Sequence, residues 1–318
     1  MHPAELPGRP CPVCQGVRQA PIVRLTGLQI IAGNWSYRQS NWSWHEAFLS
    51  HAFPIGRCAD CGFVYAGTEL PETFLDYVYD ELIDCHAARR EAFSITSLAN
   101  RMSYLSILFR LISPPAKILD FGCGFGATLS LMANAAGIGS VGFETSPRRA
   151  TELRAGGYAI EDNLAALRDH APFSGLILDN VLEHLPNPWE TVSFLRELCA
   201  QGGVIYVSVP DGHGLYSSSS APIVKGGQPA PMELNPWEHL NYFTVEHLDR
   251  MMASAGFSPI RQAGLPSEVA IGLRPDRNVT RRLKNTLASV HRSLRYGLTG
   301  DALRNVNRRF YRAAGTAG

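Results

Sequence analysis

The twelve residues ILDFGCGFGATL, Ile118 to Leu129, constrain the fold of this chain more than any others. An apolar run closes on an acid, three glycines follow at alternate positions, and an apolar helical pattern begins at once. That order reads as a strand passing through a tight turn into a helix. The glycines let backbone N–H groups approach a ligand at the helix N-terminus. The surrounding sequence supplies a sheet for such a turn. KILDFG, GSVGFET, YAIED, SGLILDN and GGVIYVSVP read as strands, with ATLSLMANAA, SPRRATELRAGG and PWETVSFLRELCA as helices between them. Ser146 followed by Pro147 marks one helix start. TVEHLDRMMASAGF reads as a further helix from Thr244, and SPIRQAG and EVAIGLR as closing strands. Strands rich in Val, Ile and Leu, separated by helices, imply an α/β fold with a doubly wound parallel sheet covered on both faces.

Four segments are expected. Residues 1–70 carry two CxxC pairs, and residues 71–113 show helical periodicity in ELPETFLDYVYDELID and ITSLANRMSYLSILFRLI. Ser113-Pro114-Pro115 then leads into the α/β domain, 114–275, and a basic tail runs over 276–318. In the tail, Leu283, Leu287, Val290 and Leu294 share one helical face, and Leu303, Val306 and Phe310 repeat the pattern after the Gly297–Gly300 break. The net charge of +1 conceals an asymmetry. Residues 274–318 hold eleven Lys/Arg against two Asp/Glu, a net of +9, while residues 114–273 hold nine against sixteen, a net of −7. The default for the tail is an apolar stripe packed on the protein with arginines in solvent. Its other readings are contact with an anionic substrate or peripheral contact with an acidic membrane surface.

Hydrophobic residues at 45% and charged residues at 18% exclude a disordered chain. The opening MHPAELPGRPCPVC has no basic stretch followed by an apolar core, so no signal peptide is expected. No run reaches the ~18 uninterrupted apolar residues of a membrane span. Four of the seven cysteines sit in CxxC pairs, which reads as metal binding in a reducing compartment, and the expected location is cytoplasmic.

The ligand of the glycine turn is a matter of charge. Gly122, Gly124 and Gly126 form GxGxG, yet Gly122, Gly124 and Ala127 also fit a dinucleotide pattern. Glu144 ends the next strand 22 residues after Gly122, where a carboxylate suits the ribose of any adenosine cofactor. Asp120, directly before the glycines, would repel the pyrophosphate of NAD(P) and attract a ligand carrying ammonium and sulfonium groups. Electrostatics therefore favours S-adenosylmethionine (SAM), with an NAD(P)-dependent oxidoreductase as the rival.

Together ILDFGCGFG, VGFETSP and LILDNVLEHLPNP, with the later EHLNYFTVEHLDRMMASAGF, resemble the class I SAM-dependent methyltransferases over about 114–273. The resemblance implies a Rossmann-like sheet. It also implies that Asp120, Gly122, Gly124 and Gly126 surround the methionine part of SAM and that Glu144 meets the ribose. Asp162 and Asn163 would lie near the adenine, and Asn180 joins the cofactor set. Where family members often carry an Asp before the fourth strand, this chain has Ser174-Gly175.

CPVCQG and CADCGF bring Cys11, Cys14, Cys58 and Cys61, four thiolates suited to a closed, structural Zn²⁺ site. A redox CxxC or four buried thiols are the alternatives. A zinc module also opens some RNA methyltransferases. Residues 1–113, however, contain no lysine and carry a net charge of −1, so a nucleic-acid partner is not expected. CADCGFVYAGTELPETFLDYVYD instead resembles the zinc-ribbon start of methyltransferases acting on sugars and other small metabolites. The nucleotide-sugar C-methyltransferases among them have a large further C-terminal domain for which this chain lacks room. The insert NWSYRQSNWSWHEAF, with Trp35, Tyr37, Trp42, Trp44 and His45, either stacks on a sugar ring or builds a small core.

Methyl transfer is an in-line displacement in which the protein aligns the reactants and removes a proton. A base near neutrality points to histidine. Glu183 and His184 in VLEHLPNP follow the fourth strand, His213 follows the fifth, and His239 and Tyr242 in PWEHLNYF follow a long loop. Each has a packing alternative: Glu183 and His184 as loop ties, Tyr242 as edge packing. Two residues, Glu183 and His184, are too few to claim a divalent metal. The expectation is a SAM-dependent methyltransferase acting on an oxygen of a small-molecule acceptor, sugar-linked or anionic. A zinc-ribbon RNA methyltransferase and a non-catalytic zinc protein are the further rivals.

Overall fold

The computed structural model describes residues 3–34, 36–37, 46–217, 228–260 and 307–314. Its strands are β1 (Gln19–Thr26), β2 (Ala52–Cys58), β3 (Val64–Ala66), β4 (Ala116–Phe121), β5 (Ile138–Phe143), β6 (Ile160–Glu161), β7 (Phe173–Asp179), β8 (Cys199–Val209), β9 (Asn241–Tyr242), β10 (Phe257–Pro259) and β11 (Asn307–Ala313). The chain forms two compact units. One comprises Met1–Arg90, Asn180–Thr191 and Pro210–Leu248; the other comprises Glu91–Asp179, Val192–Val209 and Asp249–Gly318. The division departs from the expected segments. The boundary falls inside 71–113, and the stretches 180–191 and 210–248 cluster with the N-terminal residues instead of the α/β domain. Among the described residues no helix is long and apolar enough to cross a membrane.

The second unit is built on a seven-stranded sheet of order β10-β11-β8-β7-β4-β5-β6. β4, β5, β6, β7 and β8 pair in parallel, while β11 runs antiparallel to both β8 and β10. The chain winds outward from β4 to β6, then returns to β7 on the other side of β4. That reversal makes a switch point at the carboxyl ends of β4 and β7, where open α/β sheets bind ligands. The strands are apolar on both faces, as burial of Ile118, Leu119, Leu176, Ile177, Val204 and Ile205 at 0% exposure requires. Helix Pro147–Ala155 starts as its sequence predicts, with Ser146 accepting from the Arg149 N–H and proline in the first turn.

The tail corrects one expectation. Phe310 belongs to a strand, β11, and not to a helix: Phe310 lies opposite Tyr206 of β8, and its ring packs 5.0 Å from that tyrosine. Leu283, Leu287, Val290, Leu294, Leu303 and Val306 lie outside the described residues, as does EVAIGLR. The antiparallel seat beside β8 is taken by β11, held by Arg309 and Tyr311 on Asp249 at 3.0 and 2.7 Å.

The first unit has a four-stranded antiparallel sheet of order β1-β2-β3-β9. Its core joins Leu25, Phe48, Phe53, Ile55, Phe74, Val78 and Trp237, with Phe48 stacked on Phe74 at 4.3 Å. The expected helix over ELPETFLDYVYDELID forms as Glu72–Tyr77 and then widens into a π turn, Val78–Leu82. Tyr37 packs against Trp237 in this core, whereas Trp35, Trp42, Trp44 and His45 lie outside the described residues.

Candidate functional site

The glycine turn sits at the switch point of the second unit. Gly122, Gly124 and Gly126 all take left-handed φ values, 74°, 57° and 76°, a conformation that glycine adopts without strain. Gly126 caps helix Ala127–Met132. A Cβ at Gly126 would strike Leu153, but at Gly124 it would meet nothing within 4 Å, so the turn opens there onto free space. Asp120, ending β4 beside this opening, is 3% exposed. Its Oδ2 has no hydrogen-bond partner among the described residues. Burial, then the charge of Asp179, pushes its pKa up to about 7, against the opposing pull of Arg101. A buried carboxylate with one unpartnered oxygen beside an open turn fits a cationic group and is hostile to a pyrophosphate. Behind it, Tyr104 bonds Thr128 at 3.0 Å and stacks on Tyr206.

Glu144, at the end of β5, is bound more tightly than a free ribose ligand would be. Its Oε2 accepts from the Gly124 N–H at 3.0 Å; its Oε1 accepts from the Ser146 N–H at 2.8 Å and from Arg149 at 2.9 Å. The acid thus ties the glycine turn to the next strand, with one lone pair on Oε2 left for a ligand hydroxyl. Asp162 is exposed and pairs with Arg154 at 3.0 Å, a bond that holds its pKa below the usual range. Asn163 accepts from the Ala165 N–H at 2.8 Å and so starts a short 3₁₀ turn. Asn180 follows β7 directly with φ +56°.

In the first unit the four cysteines converge through two knuckles of the same construction. The Cys11 and Cys58 carbonyls accept from the N–H groups of Gln15 and Gly62, at 2.9 and 3.0 Å. Their own N–H groups donate to Gly16 and Phe63. The fifth residue of each knuckle is left-handed: Gly62 at φ +80°, but Gln15, not Gly16, at φ +60°. Gly16 is needed for another reason, because a Cβ there would collide with the Asp60 carboxylate. The four Sγ atoms lie within 4.8 Å of one another, two pairs of them at 3.5 Å. A tetrahedral Zn²⁺ with bonds of about 2.3 Å sets its sulfurs roughly 3.8 Å apart. The donor set fits that ion, and the Asp60 N–H, 3.4 Å from Cys58 Sγ, supplies an outer hydrogen bond.

The same unit gathers Glu183, His184 and His239, whose ligating atoms lie within 4.8 Å of one another. His184 Nδ1 stands 2.9 Å from the Glu238 carbonyl and His239 Nδ1 2.9 Å from the Glu233 carbonyl. A carbonyl only accepts, so both rings are Nδ1–H donors and both carry a lone pair on Nε2. Burial, with His239 beside it, pushes the His184 pKa down to about 3. That lowering favours the neutral imidazole and makes the ring a weaker proton acceptor. Glu183 and His239, with Asp211, Glu233, Asn241 and Tyr242, line a cavity of about 230 Å³. The Tyr242 Oη is buried with no hydrogen-bond partner among the described residues, and burial raises its pKa well above the usual phenol value. His213 opens a short helix, His213–Ser217, just after the Asp211 that lines this cavity.

Two residues that sequence reasoning passed over hold the cluster. Arg9 donates to the carbonyls of Leu240 and Pro186 and to Asn241 Oδ1, at 2.8, 2.7 and 2.9 Å. Asn241 Nδ2 donates to the Leu182 and Leu185 carbonyls, and the Glu183 carbonyl accepts from the Leu240 and Asn241 N–H groups. EHLP and EHLN are thereby strapped together from both ends. Arg9 lies 231 residues from Leu240 in sequence, so no local signal marks it. The repeated EH dipeptide was the one available hint for Asn241.

A family model described as a methyltransferase domain matches residues 88–262, more than half of the chain. No curated protein matches it. Among solved structures, a chain of the Haloferax volcanii complex between the Trm112 methyltransferase activator and a methyltransferase is 13% identical, covering 78% of this chain and 100% of its own at a TM-score of 0.49. The plantazolicin methyltransferase BamL, in complex with a triazolic desmethylPZN analog and S-adenosylhomocysteine (SAH), is 17% identical over 76% of this chain and 91% of its own, at 0.44. A SAM-dependent methyltransferase from Archaeoglobus fulgidus is 15% identical over 72% and 99%, at 0.43.

Proposed function

Because this chain belongs to the family of methyltransferase domains, we propose that it transfers the methyl group of SAM to an oxygen of a small-molecule acceptor, a sugar or related metabolite. The observation that carries the reading is Asp120: a buried carboxylate with an unpartnered oxygen beside three left-handed glycines, at the switch point of a parallel sheet. Bound SAM supplies an activated methyl group on a sulfonium. Asp120 would meet its ammonium group, the turn would give it room at Gly124, where a side chain would meet nothing within 4 Å, and Glu144 would accept one ribose hydroxyl. Asp162, Asn163 and Asn180 complete the cofactor set by their place in the sequence. The phosphate-binding alternative, an NAD(P) enzyme, is disfavoured by the same carboxylate.

The cavity of the first unit suits the acceptor. Tyr242 Oη offers an uncommitted hydrogen bond, and Glu183 with His239 Nε2 are the groups there able to take a hydroxyl proton. Carboxylates from Glu183, Asp211 and Glu233 on the wall favour a hydroxyl-rich acceptor over an anionic one. Cys11, Cys14, Cys58 and Cys61 hold a structural Zn²⁺, since four thiolates leave no open coordination position.

Isothermal titration with SAH, beside NAD⁺ and NADP⁺, tests the assignment. Binding of SAH that disappears in Asp120→Ala is expected. Binding of a nicotinamide nucleotide without SAH would overturn it.

A further inference from the structure

We propose that Glu183, His184 and His239 form a second metal centre, a two-histidine, one-carboxylate site for a divalent first-row cation. The three ligating atoms already lie within 4.8 Å of one another, and Glu183 Oε1 is 3.8 Å from His184 Nε2. Metal bonds of about 2.1 Å bring such atoms to roughly 3.0–3.4 Å, within reach of small side-chain rotations.

The tautomers point the same way. Each Nδ1–H is donated to a backbone carbonyl, Glu238 for His184 and Glu233 for His239, which leaves both Nε2 lone pairs outside those bonds. Metal-bound histidines are oriented by this kind of outer hydrogen bond. Glu183 contributes the charge, and its own backbone carbonyl is pinned by two N–H groups. The loops carrying the ligands are strapped by Arg9 and Asn241, so the set is preorganised by bonds that do not involve the ligating atoms.

Three protein ligands leave coordination positions open, and Glu183 and His239 both face the cavity. Two imidazoles with one carboxylate select Zn²⁺, Fe²⁺ or Mn²⁺ over Mg²⁺ or Ca²⁺, and the absence of sulfur separates this centre from the four-cysteine site. The ion's role rests on the proposed function. With a cation bound, Glu183 and His239 act as its ligands and no longer as proton acceptors; an acceptor hydroxyl on an open position would then be polarised by the cation and give its proton to water. The existence of the site does not rest on that reading.

The test counts metal. Full-length protein without a histidine tag is dialysed to equilibrium against Zn²⁺ and its zinc measured by plasma mass spectrometry, beside His239→Ala and Glu183→Gln. Wild type is expected to hold one zinc per chain more than either variant, whatever the four cysteines bind. Equal counts in folded protein would overturn the proposal. Should His239→Ala fail to fold by circular dichroism, Glu183→Gln, which keeps the side-chain shape, decides the comparison. SAH titration of the same wild-type sample reads the methyl-transfer assignment separately: a zinc difference without SAH binding leaves the metal centre standing and removes its proposed role.

Discussion

Asp120 ties the stability of the second unit to pH. Its carboxyl is shielded from water and lies near Asp179 and Glu144, so its pKa moves from 3.8 to about 7 on folding. Between those values the folded state holds more protons than the unfolded chain. Stability therefore falls as pH rises through this window and levels off above it. At about 1.4 kcal/mol per unit, the burden is at most ~4 kcal/mol above pH 7 and ~1.6 kcal/mol at pH 5. Asp120→Asn keeps the shape and removes the titration. Its stability relative to wild type should thus improve by up to ~3 kcal/mol between pH 5 and pH 8, read from urea unfolding at the two pH values. A ligand ammonium reverses the balance by stabilising the ionised carboxylate. SAH affinity should accordingly rise with pH up to about 7, by no more than about tenfold per unit, and be flat in Asp120→Asn. A stability difference independent of pH would refute the burial argument, and a flat wild-type affinity would remove Asp120 from the ammonium.

Two other perturbations separate framework from site. Arg9→Ala deletes three hydrogen bonds and leaves the Leu240 and Pro186 carbonyls without that donor; a loss of ~3–5 kcal/mol is expected by urea unfolding. Arg9→Lys should recover only part of it, because a single ammonium does not reproduce the guanidinium fork. Gly126→Ala combines a left-handed backbone with a Cβ 2.5 Å from Leu153 Cδ2, and should lower stability by roughly 2–4 kcal/mol in thermal unfolding. Gly124→Ala meets open space, costs about 1 kcal/mol of backbone strain, and should instead weaken SAH binding at least about tenfold (~1.4 kcal/mol).

Short-range order was legible in the sequence wherever the causes were neighbours in the chain. The strand–glycine–helix passage at 118–129, the helix start at Ser146-Pro147 and the paired CxxC knuckles each depend on a few adjacent residues, and local geometry follows from them. The same holds for the acid before the glycines, whose charge could be weighed without coordinates. Tertiary structure decided what depends on distant partners. Phe310 looked helical by spacing and became a strand because the edge of β8 offered it hydrogen bonds and the Tyr206 ring. His184 looked like a base, yet burial and the neighbouring His239 lower its basicity, while the Glu238 carbonyl fixes its tautomer. Glu183 and His184 were one ligand short of the proposed metal site until folding brought His239, 55 positions after His184, within 4.8 Å of them. Arg9 had no visible role at all. Local preference acts through covalent neighbours and can be read along the chain, whereas desolvation, tautomer and ligand geometry arise only once folding has brought remote groups within hydrogen-bonding distance.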